Sequence, residues 1–480
     1  MSDAAANHTP VVSDTPEHRK ALLDGPQKLA LLVGVVGIIA FLILSGIYYG
    51  AAAPSDDASA EVKEAMEAAR VQQPFLSFLS GWIFWTLVGL GSLFFLLVQY
   101  VTGGRWGILL RRPLESNCRT LFLVSLPLFL VVAATMKMGE KSIYWWARHH
   151  HHMHHHVEGE PKPESDATKE RAQIAAAKVA KHGDDSVFNN ISPHLEVDED
   201  EKVNDLLNPT FTIIRGLLYF VVFGLLIFVM LKKAETAEYH ENLDVARKAR
   251  FDQRYVASFG LFIFAIFMTW IATDWIMSLE STFASSMFPV IMFDNAAVTA
   301  YAVCLLTLLY LKKKGEPRFT NLFPATEQIH LGSLMLAFTL AWTYFNFSQY
   351  MLIWIGNLPE EIPYYLKRTR GGWGWYASLA VLFHFPIPFL LLLFRRVKSS
   401  PNAIRNIAAM LLVVVFFDEM WWIAPSMSHE HAPKFYVLMD VAAWLGIGGI
   451  WMFVFFGQLK KHPLLPAREM YLLEAYHHGH

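Results

Sequence analysis

Ten stretches of this chain are apolar for long enough to cross a bilayer: 27–49, 76–101, 119–137, 210–231, 255–277, 288–311, 329–356, 373–394, 404–424 and 435–459. A helix needs about 20 such residues to cover roughly 30 Å of hydrocarbon. Lipid offers backbone N–H and C=O groups no partner, so segments of this kind fold as helices. The sequence therefore predicts an all-α polytopic membrane protein, with helices 1–3 in 27–137 and helices 4–10 in 210–459. The segments 1–26 and 460–480 read as polar tails, and 138–208 as a long acidic, His-rich insertion. Only 17% of the 480 residues are charged, against about a quarter in a soluble domain. A soluble enzyme is disfavoured before any motif is read.

Orientation follows from where Lys and Arg fall. If the first span enters from the cytoplasm, the inner segments hold 23 Lys and Arg and the short outer loops hold six. Both termini are then expected in the cytoplasm. Residues 50–75 and 138–208, on the outer side, carry 19 of the 42 acidic residues. That acidity suits solvated loops or a surface that steers a cationic partner.

The chain repeats itself weakly. Gly139-Glu140, Ile143, Tyr144-Trp145-Trp146 and Arg148 follow the third span, and Gly356, Glu360-Glu361, Ile362, Tyr364-Tyr365 and Lys367-Arg368 follow the seventh. Two spans later each half places acids near an outer helix end: Asp274 in the fifth span, Asp418 and Glu419 in the ninth. Spans 2–5 and 6–9 are expected to form related four-helix bundles, with spans 1 and 10 peripheral.

An ionisable side chain at membrane depth is costly, so it faces a bundle interior or a wet cavity. Lys137, Arg215, Asp274, Asp294, Asp418, Glu419 and Asp440 all fall in the outer third, with Gln349 and Tyr350 at the same level. His384 lies near the midplane, at the depth of Tyr344 and Asn346, beside the interruption Phe385-Pro386-Ile387-Pro388. Asp274, Asp294, Asp418, Glu419, His384, Gln349, Tyr350 and Lys137 are the candidates for an outer half-channel that leads protons toward the bilayer centre. Lys137, Arg215 and Asp440 also suit a plain interfacial role. The inner half offers only Glu327, His330, Tyr255, Ser258, Tyr301 and Thr307.

No catalytic residue is expected in this chain. Cys118 and Cys304 are its two cysteines, too few for a thiolate-held iron–sulfur cluster. No Cys-x-x-Cys-His occurs, and His384 and His330 differ too much in depth to share a haem. The imidazoles His149, His150, His151, His152, His154, His155 and His156 are metal candidates without a spacing that defines a geometry. No nucleic-acid motif is present.

Several segments are similar to the ActF-type membrane subunit of alternative complex III, in the NrfD/PsrC-like family. These are Phe347-Ser348-Gln349-Tyr350 through Gly356-Asn357-Leu358-Pro359-Glu360-Glu361, Thr273-Asp274-Trp275-Ile276 through Glu280, and Gly81-Trp82-Ile83-Phe84-Trp85 through Gln99-Tyr100, continuing to Arg105-Trp106 and Arg111-Arg112. They are spread over spans 2 to 9. The resemblance implies a subunit of a bacterial inner-membrane quinol:electron-acceptor oxidoreductase. It implies an ActC-type membrane partner that holds the main quinol site, a multihaem cytochrome c subunit and an iron–sulfur subunit. Haem c and iron–sulfur clusters would lie in those partners, and this chain would carry no redox cofactor while contributing to proton translocation. The rival expectations are a purely structural anchor and a secondary transporter. Four spans per half give repeats that run in the same sense, unlike the inverted repeats of many transporters.

Overall fold

The computed structural model describes residues 15–53, 60–104, 106–148, 207–281, 283–314, 323–358, 361–369, 372–426 and 436–465. Among them the chain is helical throughout, with no strand. Its helices are α1 (Pro16–Ala51), α2 (Ala60–Thr102), α3 (Trp106–Met136), α4 (Pro209–Tyr239), α5 (Leu243–Trp275), α6 (Phe288–Lys313), α7 (Ala325–Gly356), α8 (Ile362–Thr369), α9 (Trp373–Leu393), α10 (Pro401–Ile423) and α11 (Tyr436–Leu459). Nine of the described helices are long and apolar enough to cross a membrane. The remaining predicted span, the seventh (α7), has the length at 32 residues, but Thr339, Thr343, Asn346 and Gln349 dilute its apolar content. The chain is a multi-pass α-helical membrane protein.

Two predicted loops are helical. Residues 60–75 extend the second span, and 106–118 lead straight into the third. Within α3 the backbone widens to a π turn at Leu121–Ser125. Pro127, two residues beyond, has no N–H to continue the i→i−4 ladder. The Ser125 carbonyl, at the end of this turn, accepts from the Trp82 indole at 3.1 Å. The break foreseen in the eighth span is present. Helix α9 is interrupted between His384 and Pro386, because Pro386 and Pro388 both remove backbone donors.

We call the end where α1 starts and α11 finishes the near end, and the opposite one the far end. Arg19 Nε donates to the Lys460 carbonyl at 2.9 Å, which holds those two helix ends together. Helices α2 and α6 form the centre; 89% and 83% of their apolar stretches are buried, against 17% for α1. They cross backbone to backbone, since a Cβ on Gly91 would lie 1.9 Å from the Ala296 carbonyl oxygen. In the first half α2 packs on α3 and α5, and α4 on α5; in the second half α6 packs on α7 and α10, and α9 on α10. Each half is thus a ring of four helices with the same neighbours, as the repeat predicts.

The peripheral pair α1 and α11 packs antiparallel through glycines. Gly34 meets Gly449 and Gly37 meets Gly446, and a Cβ on Gly37 would stand 2.4 Å from the Gly446 nitrogen. Small residues let helices approach where the hydrophobic effect gives no drive. The opposite face of α1 shows Leu29, Leu32, Val36, Leu42 and Ile43, all exposed as a lipid-facing helix requires.

Candidate functional site

One acid of each bundle is paired with a basic side chain on the neighbouring helix. In the first bundle Arg215, on the third helix α4, donates through Nε and Nη2 to Asp274, on the fourth helix α5, at 2.6 and 2.5 Å. Tyr219, one turn along from Arg215, donates to the same carboxylate at 2.6 Å. In the second bundle His384, on the third helix α9, lies with Nδ1 2.6 Å from Asp418 Oδ2, on the fourth helix α10. The two pairs are counterparts in position, third helix to fourth, near the far end. They differ in chemistry. A guanidinium is always charged and fixes its carboxylate as an ion pair, whereas an imidazole gains and loses a proton near neutrality.

The loops that follow the second helix of each bundle are counterparts too. Gly139 (φ 60°) and Asn357 (φ 46°) both adopt the left-handed conformation there, the usual stop for a helix C-terminus. The Tyr144 hydroxyl then reaches the Trp275 carbonyl at the end of α5 at 3.2 Å. Arg368 reaches the Trp421 and Trp422 carbonyls at the end of α10 at 3.2 and 2.7 Å. Orphan carbonyls at a helix end need such donors.

His384 is fully buried and stacks on Trp342 from α7, with ring centroids 3.9 Å apart. The break in α9 sets this position, turning the imidazole between α7 and α10. Its Nε2 has no protein partner among the described residues, and neither does either carboxylate oxygen of the fully buried Glu419 next to Asp418. On the central helix α6, Asp294 Oδ2 and both side-chain polar atoms of Asn295 are likewise buried and unpartnered. Phe288 packs on Trp422 with centroids 5.1 Å apart, which sets the far ends of α6 and α10 side by side. Buried polar groups without protein partners are where water enters a protein interior.

Other sequence candidates fall elsewhere. Gln349 is buried but accepts a 2.5 Å hydrogen bond from Ser285 and holds the loop before α6. Tyr350 is 41% exposed and lies against Trp354 and Tyr365. Lys137 is exposed beyond the end of α3. Tyr344 is exposed at midplane, and Asn346 bonds back to the Trp342 carbonyl at 2.9 Å. The pair Glu327–His330 is exposed at His330, at 3.7 Å. None of these contacts His384 or Asp418. The imidazoles of His149–His152 and His154–His156 lie outside the described residues. Among the described residues no three His, Cys, Asp or Glu side chains converge as metal ligands.

Three buried ionic groups escaped the sequence reading. Arg215 was an interfacial candidate, yet it is the partner of Asp274. Near the opposite end, Arg111 and Arg112 bridge Glu115 at 2.9 and 2.8 Å, and Arg112 bridges Glu238 of α4 at 2.5 Å. Charge counting assigned both arginines to an inner loop; Glu115 at i+4 and i+3 was the available signal. Arg368, counted as an outer loop base, is fully buried over the Tyr364 ring and joins Glu280 at 3.1 Å, clamping the second bundle to the end of the first.

The chain matches no known protein-family model and no curated protein.

Proposed function

We propose that this chain is a cofactor-free membrane subunit of a quinol-oxidising respiratory complex of the alternative complex III type, and that it contributes to proton movement through its second bundle. The segments similar to the ActF-type subunit support the first part. The observation that carries the second is the buried group His384, Asp418 and Glu419. It combines one titratable pair at 2.6 Å with an adjacent carboxyl that has no protein partner among the described residues. A proton relay needs groups that accept and release a proton near working pH, linked by hydrogen bonds or water. His384 faces Asp418 on one side and leaves Nε2 for the next carrier.

The first bundle supports a packing role for its own acid, because the Arg215 guanidinium holds Asp274 in a fixed ion pair. Asp274 therefore leaves the set of proton carriers in this reading, as do Lys137 and Tyr350 by exposure and Gln349 by its bond to Ser285. In this reading the termini face the cytoplasm of a bacterial cell, with haem and iron–sulfur partners at the far end beside an ActC-type subunit.

The test is purification in mild detergent, with haem staining and mass spectrometry of co-purifying chains. A haem-bearing chain and a second membrane subunit are expected. Recovery of this chain alone, with no haem-bearing partner, would overturn the assignment and favour a transporter.

A further inference from the structure

Asp440, near the start of α11, was expected to sit at the membrane interface. It is 1% exposed. Its surroundings differ from those of the buried acids that form ion pairs. Asp274, Glu115, Glu238 and Glu280 each have an arginine, and Asp418 has His384. Asp440 has no ion pair among the described residues, and its Oδ2 has no hydrogen-bond partner.

The groups that face it are neutral and oxygen-bearing. Ser77 of α2 lies one turn before Gly81, where an added Cβ would stand 3.0 Å from the Ala443 backbone, and Ala443 follows Asp440 by three residues on α11, so Ser77 sits at the level of the carboxylate. Gln73, one turn away on α2, donates to Ser77 Oγ at 3.3 Å, and its Oε1 is buried without a partner among the described residues. The hydroxyls of Tyr48 on α1 and Tyr436 on α11 lie within electrostatic reach. From α9, Tyr376 stands within reach of both Asp440 and Asp418. The nearest base along α2 is Arg70, whose guanidinium is stacked on the Tyr49 ring at 3.7 Å.

A carboxylate buried among neutral groups must be neutralised, by a proton or by a cation. The donor set selects the cation. Oxygens alone suit a hard ion of the alkali or alkaline-earth type rather than a transition metal. One carboxylate balances one positive charge, so a divalent ion would leave a net charge buried in the bundle. Gln73 gives up only one long hydrogen bond in turning Oε1 toward such an ion. We propose that Asp440, Ser77 and Gln73, ringed by Tyr48 and Tyr436, form a monovalent cation site at the far end of the bundle that takes Na⁺ in exchange for the carboxyl proton. The site lies on α2 and α11, apart from the His384 group, and does not rest on the respiratory assignment.

The test uses the purified full chain in detergent, with NaCl titrated against choline chloride at constant ionic strength and thermal unfolding as the readout. A ligand that binds the folded state raises the unfolding temperature with its concentration. Sodium should do so, and its apparent affinity should fall by up to tenfold when the pH is lowered by one unit, since proton and ion compete for one carboxylate. Asp440→Asn should abolish the response, and Ser77→Ala should weaken the affinity without removing it. The wild-type comparison at two pH values stands even where Asp440→Asn fails to fold. No sodium-specific shift in the wild-type chain at either pH would overturn the site, as would an affinity that ignores pH or a full response in Asp440→Asn.

Discussion

His384 Nδ1 and Asp418 Oδ2 lie 2.6 Å apart between α9 and α10, with the imidazole on the last residue before the proline break in α9. Asp418 sets the imidazole's orientation, and stacking on Trp342 fixes the ring plane. Asp418→Asn keeps the shape and removes the charge. In the proposed respiratory complex, the ratio of protons moved to electrons transferred should fall while assembly and haem content stay normal. Proton release measured with vesicles and a pH electrode checks this. An unchanged ratio in both Asp418→Asn and His384→Gln would end the proton role of the pair.

The first bundle's pair behaves differently. Removing one member of a buried ion pair strands the other, at a cost of about 3–5 kcal/mol, whereas removing both is far cheaper. Arg215→Ala should therefore destabilise the chain strongly, and the double variant Arg215→Ala with Asp274→Ala should recover most of that loss. Denaturant unfolding in detergent gives both numbers. Additive losses would show that Arg215 and Asp274 stabilise through separate contacts.

These two pairs mark how far the sequence could be read. Span positions and the depth of the acids follow from hydrophobicity, the two four-helix rings from the repeated motif and the break after His384 from its prolines, and each can be read along the chain. Pairing is not. Arg215 and Asp274 are separated by 59 residues and His384 and Asp418 by 34, so the helix-to-helix register decides which acid meets which base. The same limit hid Arg112–Glu238 and Arg368–Glu280. Counting bases by loop treats every Lys and Arg as solvated, and Arg111, Arg112 and Arg368 are buried. Lys137 and Tyr350 shared a depth with Asp418 but not a direction.

Arg368 should resist conservative replacement. It serves the Tyr364, Trp421 and Trp422 carbonyls and Glu280 at once, with its plane over Tyr364 at 3.6 Å. A lysine carries the charge but not the planar fork. Arg368→Lys should cost roughly 2 kcal/mol or more, the scale of one or two charge-assisted hydrogen bonds left unmade. A thermal midpoint equal to that of the wild-type chain would mean the far-end clamp contributes nothing.

The contact of α1 with α11 depends on the absence of side chains. At Gly37 an added Cβ meets the backbone of Gly446, which has no rotamer to yield, so the helices themselves must part. Gly46 lies on the same helix with nothing within 4 Å of an added Cβ. Gly37→Ala should cost about 1–3 kcal/mol, the range for overpacking, and should weaken the near-end contacts of Arg19 and Lys460 that depend on the same crossing. Gly46→Ala should be neutral or slightly stabilising, because alanine is the better helix former. The two alanines change composition identically, so unequal thermal midpoints isolate the crossing from helix propensity. Equal midpoints would show that α1 does not depend on this glycine seam for its place against α11.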